Sequence, residues 1–178
     1  VASSGGGIAS EGAVTLTSTT IAGTYAKVDG GGISSVGSLM LVNSTMSDNL
    51  AEEGEGGGIH NNGGSLTVTN GTFVGNVSYG PYGSAIHNSS GTATLKNTLV
   101  LGPPSVPTIA CVDASGASLT SGGYNIEGPD NTCNFNSGTD QVNVTDGELN
   151  LSPLQDNGGG TPTHMPQQGS VAVDAIPE

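Results

Sequence analysis

The sequence predicts an all-β protein, a right-handed parallel β-helix whose coils each contribute three short strands. Three observations carry this expectation. A Gly-Gly-Gly-Ile tetrapeptide recurs at steps of 25, 26 and 27 residues, with its last copy degenerate. An apolar pair spaced by two follows each copy, which is strand periodicity. Nothing apolar recurs at helical spacing.

The elements follow in order from the repeat. The tetrapeptide ends at Ile8, Ile33 and Ile59, and Gly83-Ser84-Ala85-Ile86 is the degenerate copy. The glycine run marks a tight turn with positive φ, where a Cβ is costly. The first strand lies at the Ile. The second carries the inward pairs Val14 and Leu16, Leu39 and Leu41, Leu66 and Val68, Ala93 and Leu95. Thr15, Thr17, Thr67, Thr69 and Thr94 fill outward positions between and after them. The last two repeats hold one extra residue in their first turn. The third strand is anchored by Ile21, Met46, Phe73 and Val100. Three residues before each anchor stand Ser18, Asn43, Asn70 and Asn97, a column whose side-chain amides hydrogen-bond along the stack. One repeat alone cannot bury its apolar face, but coils stacked at about 4.8 Å can. A leucine-rich-repeat solenoid would need a Leu-x-x-Leu-x-Leu-x-x-Asn pattern, which is absent.

Residues 1–104 therefore read as four regular coils, and 105–178 as irregular coils and a cap within the same domain. In that second part, Ser121-Gly122-Gly123-Tyr124-Asn125-Ile126 begins another coil and Val142 and Val144 alternate like a strand. The stretch from Asp156 to His164 is rich in turn residues.

Composition narrows the function. Hydrophobic residues make up 33% of the chain and Gly 31 of its 178 residues, which suits thin layers of small aliphatics rather than a globular core. The net charge is −13 and the basic residues are Lys27 and Lys96, so nucleic acid and anionic membrane surfaces are excluded as partners. No apolar run is long enough to span a bilayer, which predicts no direct membrane insertion. The chain begins at Val1 without Met or an apolar leader and reads as a mature or trimmed product. Cys111 and Cys133 lie in a Gly/Ser/Asn-rich region with no His at metal-ligand spacing. They predict a disulfide and an oxidising compartment; two buried free thiols are the alternative.

Several groups of residues are candidates for chemistry. His60 and His87 each follow a stacked Ile and are expected as neighbours, either a strip contacting sugar or metal or a surface ladder. Asp29 and Glu55 both stand four residues before an Ile, with Glu52 and Glu53 in the same turn. Like charges stacked about 5 Å apart repel, and a bound Ca²⁺ relieves this; a solvated acidic loop is the plain alternative. Tyr79 and Tyr82 flank Pro81 and offer rings to a sugar or a neighbouring subunit. Sequons begin at Asn43, Asn70, Asn76, Asn88 and Asn143. Asn43 and Asn70 are expected to be buried, Asn76 and Asn88 to be better acceptors.

The repeat Gly-Gly-Gly-Ile-x-Asn…Leu-Thr-Val-Thr-Asn-Gly-Thr-Phe-x-Gly-Asn is similar to the pectate-lyase-like β-helix repeats of surface and polymorphic outer-membrane proteins. The second half resembles the choice-of-anchor Q domain. The residues that carry this are Cys111, Ser121 to Ile126, Cys133, Leu154-x-Asp156-Asn157-Gly158-Gly159-x-Thr161-Pro162-Thr163-His164 and Gly169-Ser170-x-Ala172-x-Asp174-Ala175. The departures are Gly160 where Pro is commoner and Ile176-Pro177 in place of a Gly-rich exit. The resemblance covers nearly the whole chain and implies a secreted or surface-attached β-helix, with no catalytic residue general to the family.

The expected function is thus a non-catalytic extracellular or cell-surface solenoid, associating head-to-tail with further copies or contacting extracellular glycans. A carbohydrate-binding or Ca²⁺-dependent polysaccharide-lyase-like module is the alternative. A lyase needs a basic group as proton abstractor, and the inventory is two Lys and three His.

Overall fold

The computed structural model describes residues 3–80, 82–103 and 109–176. Pro81 and the expected boundary at Pro104 lie outside the described residues. The chain is a β-solenoid of about 4 turns made of parallel sheets. The first coil holds β1 (Ile8–Ser10), β2 (Val14–Thr17), β3 (Thr20–Ala22) and β4 (Tyr25–Ala26). The second repeats them as β5 (Ile33–Ser35), β6 (Leu39–Val42), β7 (Thr45–Ser47) and β8 (Leu50–Ala51). The third holds β9 (Ile59–Thr69), β10 (Thr72–Val74) and β11 (Val77–Ser78); the fourth holds β12 (Ile86–Lys96) and β13 (Leu99–Leu101). A further layer follows with β14 (Cys111–Asp113), β15 (Ser118–Ser121) and β16 (Ile126–Gly128).

Registers match the columns read from the sequence. Ile8 pairs with Ile33, Ile33 with Ile59 and Ile59 with Ile86. Leu16, Leu41, Val68 and Leu95 form the second column, and Ile21, Met46, Phe73 and Val100 the third. These side chains make one continuous core, and each burial contributes about 1.5–3 kcal/mol. The first and third columns continue beyond the fourth coil. Cys111 takes the Ile position above Ile86, and Glu127 takes the anchor position above Val100.

The strand count differs in detail. The Ile strand and the paired strand belong to one sheet and fuse into single 11-residue strands in β9 and β12. The extra residue falls between Asn61 and Leu66, which span five positions opposite the four from Ser35 to Leu39 of the second coil; β9 and β12, which both carry it, pair across a local irregularity between Asn88 and Thr92 with no net offset. The third sheet, β4-β8-β11, was not anticipated. Its strands are two residues long and turn Ala26, Ala51 and Ser78 inward, side chains too small to give an apolar signal.

Turn chemistry explains the polar columns. Ser18, Asn43, Asn70 and Asn97 have φ between 48° and 54°, a left-handed conformation that Asn tolerates better than most residues. Asn70 donates to Asn43 at 2.7 Å and Asn97 to Asn70 at 3.0 Å, so the expected amide ladder is present. Two buried ladders accompany it. Asn49 donates to Asn76 at 2.9 Å, and Asn61 to Asn88 at 2.8 Å; Asn88 in turn donates to Asp113 at 2.9 Å.

The C-terminal part is both a plug and a lateral strap. Cys133 bonds to Cys111, and with Phe135 and Val142 it closes the end of the core. Gln141 makes a single bridge to Ile126, and no strand covers Val142 and Val144. Their alternation has another cause: Val142 packs on the main core and Val144 on a second cluster. That cluster joins Leu149 of α1 (Asp146–Leu149), Leu151, Val171, Ala172 and Ala175 to Leu99, Leu101 and Ile126. Beyond it, Thr20 of the first coil donates to the Pro162 carbonyl at 2.7 Å, and Ser47 of the second meets His164 at 3.0 Å. The Asp156–His164 stretch therefore lies along the side of the coils, against the five-stranded sheet β16-β13-β10-β7-β3.

Candidate functional site

Two columns of side chains face each other beside the Ile ladder. Stacking of β5, β9, β12 and β14 puts Ser34, His60, His87 and Val112 in one row, each one residue past an inward anchor. The turns before the anchors put Asp29, Glu55 and Tyr82 in the other, each four residues ahead of its Ile. The glycine turn folds the second row over the first. His60 and His87 are consequently 5% and 3% exposed although they lie on the outer side of the sheet.

The contacts form a zigzag along the axis. The His60 Nδ1 lies 3.8 Å from the Asp29 Oδ2, and its Nε2 lies 3.8 Å from the Glu55 Oε2. The His87 Nδ1 approaches the same Glu55 oxygen at 2.5 Å. The two imidazoles stack with centroids 5.4 Å apart, and Tyr82 stacks on His87 at 5.5 Å. Ser89 Oγ lies 3.0 Å from the His60 Nε2. Asp29 also accepts the Glu55 backbone N–H at 3.0 Å, which pins the two acidic turns together. Burial holds the His60 imidazole below its ordinary value; Asp29 and Glu55 oppose that and His87 adds to it. A cleft of about 380 Å³ opens beside the row and is lined by Glu55, Tyr82, His87, Ser89 and Asp113, among others.

The structure thus gathers Asp29, Glu55, His60, His87 and Tyr82, which the sequence offered as three separate groups. Ser89 and Asp113 are additional members of the neighbourhood. The signal for convergence was a shared reference point: the acids and the imidazoles keep fixed offsets from the same anchors. Glu52 and Glu53 are exposed and do not join the site; Glu52 accepts from the Tyr25 hydroxyl and Glu53 pairs with Lys27 at 3.7 Å. Among the described residues, Glu55, His60 and His87 are the one group of three or more His, Cys, Asp or Glu whose ligand atoms come within 4.8 Å of one another. Two nitrogens and one carboxylate are a different donor set from the all-carboxylate Ca²⁺ cluster expected. Tyr79 is 67% exposed and stands apart from the stacked rings.

The sequon expectations reverse. Asn76 and Asn88 are 1% and 0% exposed, with their amides held in the internal ladders, so neither side chain is available for modification. Asn43, Asn70 and Asn143 are exposed. The reason is the left-handed turn, which aims Asn43 and Asn70 outward.

Fold and site together define an acidic, disulfide-closed parallel β-solenoid carrying a histidine–carboxylate ladder on one edge. The disulfide points to an oxidising environment. No helix among the described residues is long and apolar enough to cross a membrane. The chain matches no family model, no curated protein and no solved structure.

Proposed function

We propose that the chain is a non-catalytic structural module of an extracellular or cell-surface protein, as its resemblance to surface β-helices implies. The observation that carries this reading is where the polar side chains are used. Asn49, Asn61, Asn76 and Asn88 are buried in ladders that tie one coil to the next, which favours a stiff rod. The two lysines are exposed, and Lys27 pairs with Glu53, so neither serves an enclosed acid–base centre. Incubation with polygalacturonate and alginate, with and without Ca²⁺, tests the absence of lyase chemistry through the absorbance of unsaturated ends. No product is expected; product that Glu55→Gln abolishes would overturn the reading.

Partners fall to two candidates, further copies and extracellular glycans. Head-to-tail association brings first-coil strands against an end where Thr132, Gln141 and Val144 already bond Cys111, Asn125 and Glu127. Such a contact must rest on side-chain packing more than on ladder extension. Electron microscopy at moderate concentration reads it directly: end-to-end filaments support it and monodisperse particles count against it. Glycan contact is favoured by the cleft beside Tyr82, a residue 44% exposed. A glycan array with the wild type and Tyr82→Ala tests this, with binding expected only for the wild type and signal retained by the variant contradicting it.

A further inference from the structure

We infer that Glu55, His60 and His87 bind a late first-row divalent metal ion, with Zn²⁺ as the reference case. The donor atoms are the Glu55 Oε2, the His60 Nε2 and the His87 Nδ1. The Glu55 oxygen lies 2.5 Å from the His87 nitrogen and 3.8 Å from the His60 nitrogen. Metal–ligand bonds of 2.0–2.2 Å at tetrahedral angles set donor–donor separations of about 3.3–3.6 Å. The Glu55–His87 spacing must open and the Glu55–His60 spacing close, each by about 1 Å or less, and the two nitrogens, which lie within 4.8 Å of each other, close by at most about 1.5 Å, all within the range of small side-chain rotations.

A second observation points to a ligand. The His87 Nδ1 is buried and has no hydrogen bond of acceptable geometry, so its approach to Glu55 is a close contact and not an aligned bond. A buried imidazole nitrogen without an aligned partner is costly, and a shared cation satisfies both groups. The surroundings supply the orienting contacts that such sites need. Asp29 faces the other nitrogen of His60 and holds Nε2 toward Glu55. Tyr82 packs on the His87 ring. Ser89, which meets the His60 Nε2, gives that nitrogen up when the ion binds. Glu55 and His87 both border the cleft, which leaves a fourth position for water or an oxygen ligand from outside. Two imidazoles and one carboxylate select Zn²⁺, Ni²⁺ or Cu²⁺ over Ca²⁺ and Mg²⁺, which prefer shells of oxygen alone.

Co²⁺ titration of the chelator-stripped full chain, followed by its visible absorption and then by Zn²⁺ displacement, tests the site. The expected result is one equivalent bound with intense tetrahedral bands, displaced by Zn²⁺ and indifferent to excess Ca²⁺. His60→Gln and His87→Gln should abolish the spectrum in proteins whose circular dichroism is unchanged. Asp29 supplies no donor atom to the ion but borders His60 and holds the Glu55 backbone, so Asp29→Asn should weaken binding about 10–100-fold. It decides the matter if the His variants do not fold. Absence of the tetrahedral bands, full competition by Ca²⁺, or unaltered affinity in Asp29→Asn would each overturn the inference.

Discussion

At the residue scale, the repeat is held by what is too small as much as by what is apolar. A Cβ on Gly57 would lie 2.3 Å from the Val77 carbonyl oxygen and 2.5 Å from that of Ser84, both backbone atoms. Gly57→Ala should therefore cost about 1–3 kcal/mol or more by overpacking, read as a lowered urea midpoint. An unchanged midpoint would mean that the coils are not in this contact. Glu127 gives a second prediction. It is 0% exposed in the anchor column, and its carboxylate accepts from Thr132 and Cys133. Burial pushes its pKa above the ordinary 4.5 in spite of those hydrogen bonds. The folded chain then holds the proton more tightly than the unfolded one. This stabilising contribution is whole below about pH 4.5 and is lost as pH rises through the raised value. Urea midpoints of wild type and Glu127→Gln should diverge in that window, the wild type falling relative to the variant; parallel curves would contradict it. Offsets from the Ile anchors made Asp29, Glu55, His60 and His87 legible one by one. Glu127 was hidden because a charged residue in an inward column has no apolar signature, although it stands 27 residues after Val100, the same step as from Phe73 to Val100.

At the scale of elements, the strands that carried large inward side chains were legible and those that carried small ones were not. β2, β6 and β10 show Leu16, Leu41 and Phe73, whereas β4, β8 and β11 show Ala26, Ala51 and Ser78. The fusion of two expected strands into β9 or β12 depends on how one extra residue is absorbed, which sequence spacing does not reveal. The C-terminal segment was legible as irregular but not as a strap, since its contacts with Thr20 and Ser47 bridge more than 100 positions. Its anchor is the bond between Cys111, which extends the Ile column, and Cys133, 22 residues later. Replacing both cysteines by Ser should destabilise the chain by about 2–4 kcal/mol, largely through the unfolded state. Guanidinium unfolding measures it. Equal stability of the two proteins would show that the plug holds without the cross-link.

At the scale of the whole molecule, an acidic chain poor in large apolar residues folds by translation along one axis. Each layer repeats the last, so aliphatic columns, amide ladders and the histidine–carboxylate rows arise from the same stacking. The site is then a by-product of register: a slip of one residue would turn His60 and His87 inward and Ile59 and Ile86 outward. Methyl and aromatic nuclear Overhauser spectra of the intact chain test that register in solution. Cross-peaks should link the Ile8, Ile33, Ile59 and Ile86 methyls in consecutive pairs and join the His60 ring to the His87 ring. Spectra in which Ile33 and Ile59 share no cross-peak, or in which the imidazoles are far apart, would contradict the stacked solenoid and everything inferred from it.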